Sequence, residues 1–238
     1  MCGRFTLIHT ADELARIFQV RSHDLALAPS YNVAPRHSSA VVLGGPGQHE
    51  LRLMHWGLIP SWATDARIGD RMINARAETA AEKPAFRQPF RRRRCVVPAS
   101  GFYEWKRTAD GKTPHYITSA RGQVLPLAGL WDRWNVDRDT VVETFTIVTT
   151  VAGAALAPIH HRMPVILAGD RWLRWLHTPE RQLEKLASLL VPCADDLLAI
   201  HPVSRRVNSP QANDAGLIRP LEDSGAGEPA PGETRSLF

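Results

Sequence analysis

Seven strand-like segments follow one another through the middle of this chain, and helices do not regularly separate them. They are SAVVLGG (39–45), ELRLMHWGLIP (50–60), RCVVPASGFYEW (94–105), TPHYITSA (113–120), QVLPLAGLWDRW (123–134), ETFTIVTTVA (143–152) and MPVILA (163–168). Each is short, rich in Val, Ile, Thr and aromatics, and bounded by Gly, Pro or Asp, the pattern of strands between turns. Parallel neighbours need long crossovers, usually helices. The order therefore argues against a βαβ sheet and predicts an α+β fold on largely antiparallel sheet.

Helical patterns flank this region. In TADELARIFQV (10–20), Thr10 and Glu13 match a capping box, and Leu14, Ile17 and Phe18 fall on one face. Later, GDRWLRWLHTPE leads into TPERQLEKLASLLV, where Thr178 suits a cap and Pro179 the first helical position. With 238 residues the chain can bury a sizeable core. No repeat and no linker interrupts residues 1–221, which read as one domain. The last 17 residues, EDSGAGEPAPGETRSLF (222–238), read as a disordered acidic tail.

Composition excludes several classes. Apolar residues make up 44% and charged residues 22%, ordinary values for a globular domain. No apolar run nears the ~18 residues of a membrane span, and the start lacks a signal peptide's regions, so no membrane partner is expected. Three scattered cysteines, Cys2, Cys95 and Cys193, argue against a disulfide framework. A reduced, cytoplasmic monomer is expected, nucleoid-associated if bacterial. The formal charge is +5, but the tail holds four of 24 acids and one of 29 basic residues, which leaves +8 on the body. Such a body points to a polyanionic partner, nucleic acid first.

CxxC and HExxH are absent, and His160 and His161 stand adjacent rather than a helical turn apart, so no metal is expected. GxxxxGK[ST], GxGxxG and GxSxG are absent too, so no nucleotide cofactor and no serine nucleophile is indicated. Attention falls on MCGRF. Chain ends fray, so a thiol at position 2 is poorly placed for a core. Once Met1 is trimmed, Cys2 offers an α-amine with a pKa of about 7.7–8.0 beside a thiol near ~8.5. An aldehyde condenses with such an amine to an imine, which the thiol closes into a thiazolidine; an amide carbonyl is open to thiol attack with the amine as base.

Further stretches carry suitable groups. INARAETA (73–80) holds Asn74, Arg76 and Glu78 in neither a clean strand nor a clean helix. SGFYEW (100–105) sets Glu104 among aromatics, where burial raises a carboxyl pKa and prepares it for proton transfer; facing solvent, it does neither. IHHRMP (159–164) offers His160, His161 and Arg162 before a strand, while SYNVAP (30–35) and HPVSRRVNSP (201–210) read as polar loops.

MCGRF, YNVAP, WGLIP, INARAET, GFYEW, IHHRMP and PVSRRVNSP, in that order, resemble the SRAP (SOS response-associated peptidase) family over positions 1 to about 215. The resemblance implies a barrel-like sheet with flanking helices and covalent capture of abasic sites in single-stranded DNA, including single-strand/double-strand junctions. It implies that Cys2 forms the thiazolidine, Asn74 holds the sugar or the cysteine amine, Glu104 shuttles protons, and His160 assists sugar ring opening. It also implies β-elimination at abasic sites and self-processing of the N-terminus. One departure is His161, where the family usually carries an acid. With DNA as the partner, Arg4, Arg76, Arg162 and Thr149 read as phosphate contacts and Trp62 as a base-stacking or wedging side chain. The run Arg91–Arg94 reads first as a solvated face and second as a direct DNA contact, and Trp56, Trp131, Trp134, Trp172 and Trp175 read as core. An N-terminal-nucleophile amidohydrolase and a non-catalytic single-strand binding module are the alternatives.

Overall fold

The computed structural model describes residues 2–21, 24–45, 48–109, 111–137 and 139–221. Met1 and the tail expected at 222–238 lie outside them. In chain order the first half comprises β1 (Phe5–Leu7), α1 (Ala11–Ile17), β2 (Ser30–Val33), β3 (Ser38–Gly45), β4 (Gln48–Trp56), β5 (Asn74–Arg76), α2 (Arg87–Arg92) and β6 (Arg94–Ala99). The second half comprises β7 (Gly101–Thr108), β8 (Gly111–Ser119), β9 (Leu125–Asn135), β10 (Val141–Val151), β11 (Arg162–Pro164), α3 (Arg171–His177) and β12 (Leu198–Pro202). No described helix is long and apolar enough to cross a membrane.

The order β4-β3-β6-β9-β10 closes on itself, because β10 also pairs with β4 at Thr144–His55 and Phe145–Trp56. All pairings in this barrel are antiparallel except that closing one. A second, wholly antiparallel sheet runs β12-β8-β7-β1-β2. The α+β, barrel-like, largely antiparallel expectation therefore holds. Phe5 of β1 packs edge-on against Trp56 at 5.2 Å, and Trp56 stacks on Phe145, so one aromatic column joins the second sheet to the barrel.

Several expectations need correction. RCVVPASGFYEW is two strands in different sheets, not one. The chain passes from barrel to second sheet at Ser100 and Gly101, where a Cβ on Gly101 would sit 2.4 Å from the Tyr116 ring. The α1 capping box forms as expected, with Glu13 N donating to Thr10 Oγ1 and Thr10 N to Glu13 Oε2. Leu14 and Phe18 are buried, but Ile17 turns outward at 45% exposure. Thr178 caps the end of α3 rather than the start of a helix, and Pro179 precedes a 3₁₀ segment, Glu180–Leu189, broken at Gln182. The residue before a proline is driven to extended backbone, so α3 cannot run on through Thr178.

The arginine run is a solvated face only at Arg91 and Arg92, which are exposed; Arg93 is half-buried and Arg94 is enclosed. Arg94 is buried and donates to the carbonyls of Trp175, Phe90, Arg91 and Thr178, which ties α3 and α2 to β6. Burial pushes its guanidinium down to about 10. Arg93 donates to the buried Asp132 at 2.7 Å and Arg92 to Glu180 at 2.9 Å. Trp56, Trp172 and Trp175 are core as expected, whereas Trp131 and Trp134 are half-buried.

Candidate active site

Strand β1 is paired on both sides, with β7 and β2, so the residues just ahead of it are held rather than frayed. Cys2 is fully buried. Asn74 Nδ2 donates to the Cys2 carbonyl at 2.8 Å, and the Cys2 thiol points at the Arg4 carbonyl at 3.9 Å. Asn74 opens β5, whose parallel register on β10 sets Asn74 against Ile147. Its Oδ1 is buried and accepts no hydrogen bond among the described residues. Burial first, and the Glu104 charge second, hold the Cys2 thiol far above its ordinary value. At neutral pH the sulfur is thus a protonated thiol rather than the partly ionised one its position suggests.

Glu104 is 2% exposed. Tyr103, beside it on β7, faces the opposite way into a small cluster with Tyr116, Val203, Val207 and Leu217, so both sides of the strand are covered here. That rules out the solvent-facing alternative for Glu104. Burial pushes its carboxyl up to about 7, which suits a group that gives and takes protons near neutrality.

His160 precedes β11, with Nδ1 4.0 Å from Glu104 Oε1. The same Nδ1 lies 3.0 Å from both the backbone N–H and the carbonyl of Arg162, so the Arg162 main chain fixes the orientation of the ring in either tautomer. Burial pushes His160 down, and its charge in turn pushes down His161, whose ring stacks on it at 4.5 Å. Both rings are therefore mainly neutral at pH 7, and the contact with Glu104 is not an ion pair. His161 adds a second titratable ring to the lining of the site.

Glu104, His160 and His161 line an open groove of about 770 Å³, to which Arg107 and Lys112 of the β7–β8 hairpin add positive charge. Trp105 lines the same groove and donates from Nε1 to Asn208 at 2.8 Å. Arg107 and Lys112 face each other across that hairpin. This cross-strand basic pair was the available sequence signal, and sequence reasoning passed over it.

The residues expected to touch phosphate divide. Arg76 is exposed at the end of β5, and Trp62 is 58% exposed in a loop held by Ser61 N on Asp132 and Trp134 Nε1 on the Ala63 carbonyl. The structure does not present the others so freely. Thr149 is fully buried, with its hydroxyl turned to the Ala75 carbonyl. Arg162 is 8% exposed and bound in a fork to Glu78 at 2.7 and 3.0 Å. Arg4 donates to Asn32 Oδ1 and to the Val207 and Asn208 carbonyls, fastening the 201–210 loop against β1 and β2. In this structure the protein itself engages these three.

The SOS response associated peptidase (SRAP) family model matches residues 1–210. The chain is 42% identical to the abasic site processing protein YoaM of Bacillus subtilis, over 92% of this chain and 97% of that one. It is 33% identical to the abasic site processing protein YedK of Escherichia coli, over 93% and 100%. Abasic site processing protein HMCES of Gallus gallus is 31% identical, over 82% of this chain and 67% of that protein. A crystal structure of a Bacteroides thetaiotaomicron protein superposes with a TM-score of 0.84 at 29% identity, covering 93% of this chain and all of the other.

Proposed function

The chain belongs to the SOS response associated peptidase family, and from that premise we propose that it processes abasic sites in single-stranded DNA, single-strand/double-strand junctions included, by bonding to them through Cys2. The observation that carries the reading is the placement of a buried Cys2 on Asn74, beside a carboxyl near neutrality at the floor of a basic groove. With Met1 removed, Asn74 Oδ1, which has no partner among the described residues, is an acceptor suited to the new α-amine.

The steps follow from the groups. His160 helps open the abasic sugar to its aldehyde and hydrogen-bonds the hydroxyl released. The Cys2 amine adds to the aldehyde carbon, and Glu104 as an acid protonates the carbinolamine hydroxyl, which leaves as water. The imine carbon then accepts the Cys2 sulfur. Because burial keeps that thiol protonated, its proton must be taken up as the C–S bond forms, and the Glu104 carboxylate just generated serves as the base. One aldehyde, one amine and one thiol give one thiazolidine and one water. Strand cleavage by β-elimination from the imine, and removal of Met1 by the chain itself, are the further activities proposed here.

Arg76, Arg107 and Lys112 guide the phosphates, and exposed Trp62 stacks on a base or wedges at a junction. The protein acts as a monomer in the cytoplasm, on the nucleoid in a bacterium, without metal or cofactor. Intact-mass spectrometry before and after mixing with a single-stranded oligonucleotide containing one abasic site tests the reading. Loss of Met1 and an adduct of summed mass less one water are expected, with the adduct abolished in Cys2→Ala. A mature Cys2 that forms no adduct, or an adduct that survives Cys2→Ala, refutes it.

A further inference from the structure

Glu78 lies four residues beyond Asn74, and its carboxylate takes both terminal nitrogens of Arg162, Nη1 at 2.7 Å and Nη2 at 3.0 Å. The pair joins the two short strands that carry the site. Thr149 of β10 is flanked by Arg76 of β5 in one register and by Pro164 of β11 in the other, so β5 and β11 both hang on the same end of β10. The Thr149 carbonyl accepts from Ala77 N at 2.8 Å and from Arg162 Nη2 at 2.6 Å. The Arg162 backbone N–H in turn donates to His160 Nδ1. A continuous path thus runs from the β5 segment holding Asn74, through Glu78 and Arg162, to the His160 ring.

We propose that Glu78 is a positioning residue for the crosslinking chemistry, clamping Arg162 so that His160 and Asn74 keep a fixed separation around Cys2; the inference rests on the function proposed above. An exposed ion pair would carry no such role, since its net contribution is small. Here the carboxylate is 49% exposed but the Arg162 side chain only 10%, and its Nε is buried without an acceptor among the described residues. Glu78 is its one carboxylate partner among the described residues, its other acceptors being Thr149 oxygens. Without Glu78, a buried cation stays behind with those neutral oxygens alone, an arrangement that drives a side chain to move. His160 faces Glu104, His161 and Arg162, with Arg76 beyond His161. Loss of the Glu78 charge leaves Arg162 uncompensated beside the ring and disfavours its protonation.

Glu78→Gln in the full chain separates this role from a passive one. Three readouts apply: the single-turnover rate of adduct formation between pH 5 and 8; the affinity for the same strand carrying a tetrahydrofuran analogue with no aldehyde; and the NMR titration of His160. Expected are crosslinking slowed about tenfold, the scale on which small displacements act, unchanged affinity for the analogue, and a His160 midpoint moved to lower pH. Glu78→Asp, which keeps the charge on a shorter stem, should recover part of both the rate and the midpoint, and it carries the test if the Gln variant folds poorly. An unchanged rate and midpoint overturns the clamp. So does tighter binding of the analogue at an unchanged rate, which would mean that Glu78 merely shields Arg162 from phosphate. Absence of any adduct with the wild-type chain counts against the crosslinking reading itself, and the His160 titration still decides the clamp.

Discussion

Replacing Glu104 by Gln tests the electrostatics of the site apart from its chemistry. The folded protein holds this carboxyl at about 7, against an ordinary value of 4.5, because burial penalises the charge. At ~1.4 kcal/mol per pH unit, the ionised group weakens the fold by about 3 kcal/mol. The sign follows from proton binding. Below about 4.5 the carboxyl is neutral in both folded and unfolded chains, and the penalty is absent. As pH rises from there through about 7 the unfolded chain releases the proton first, so stability falls until the folded carboxyl has ionised as well. Gln has nearly the same shape and no charge, so it removes the penalty only where the penalty exists. Urea unfolding of the wild type and of Glu104→Gln at pH 4.5 and pH 8 reads the difference. The variant should gain about 3 kcal/mol on the wild type between those two conditions, a relative midpoint shift of about 1 M for an m-value near 3 kcal/mol/M. At 2% exposure the residue has little solvent to screen it. A difference that stays flat across the window refutes the argument and makes Glu104 an ordinary carboxylate. Crosslinking by the variant should slow at every pH, because the amide cannot exchange the proton.

Arg107→Ala combined with Lys112→Ala should weaken noncovalent binding to single-stranded DNA and reduce its salt slope by about 1.4; an unchanged slope in salt titrations removes the groove from the DNA path. Trp62→Ala should lower affinity by about 1–3 kcal/mol at a stacked base while leaving thermal unfolding unaltered, since the ring is 58% exposed. Arg94→Met should destabilise the fold by about 2–3 kcal/mol through its lost carbonyl partners and leave the DNA salt slope as it was. A slope reduced by about 1 would instead put the arginine run on DNA.

Sequence by itself determined the strand-rich α+β class, because turn residues and β-branched runs act locally, and it determined the α1 capping box for the same reason. It also brought out Cys2, Asn74, Glu104 and His160 as chemically suitable groups. It missed β1, β2, β5 and β12, strands of three to five residues whose existence depends on partners far along the chain rather than on their own composition. It read RCVVPASGFYEW as one strand, because nothing local marks the passage from one sheet to another at Gly101. Only the tertiary structure decided where charge lies. Arg94 and Arg162 look in sequence like surface cations, yet they are enclosed because carbonyls and a carboxylate from distant segments converge on them. The same convergence closes over Cys2, turning a chain end into a buried thiol, and it brings Glu104 near neutrality. Burial is set by what packs against a residue, and the contacts that assemble this site, Asn74 with Cys2 and His160 with Glu104, join positions more than fifty apart.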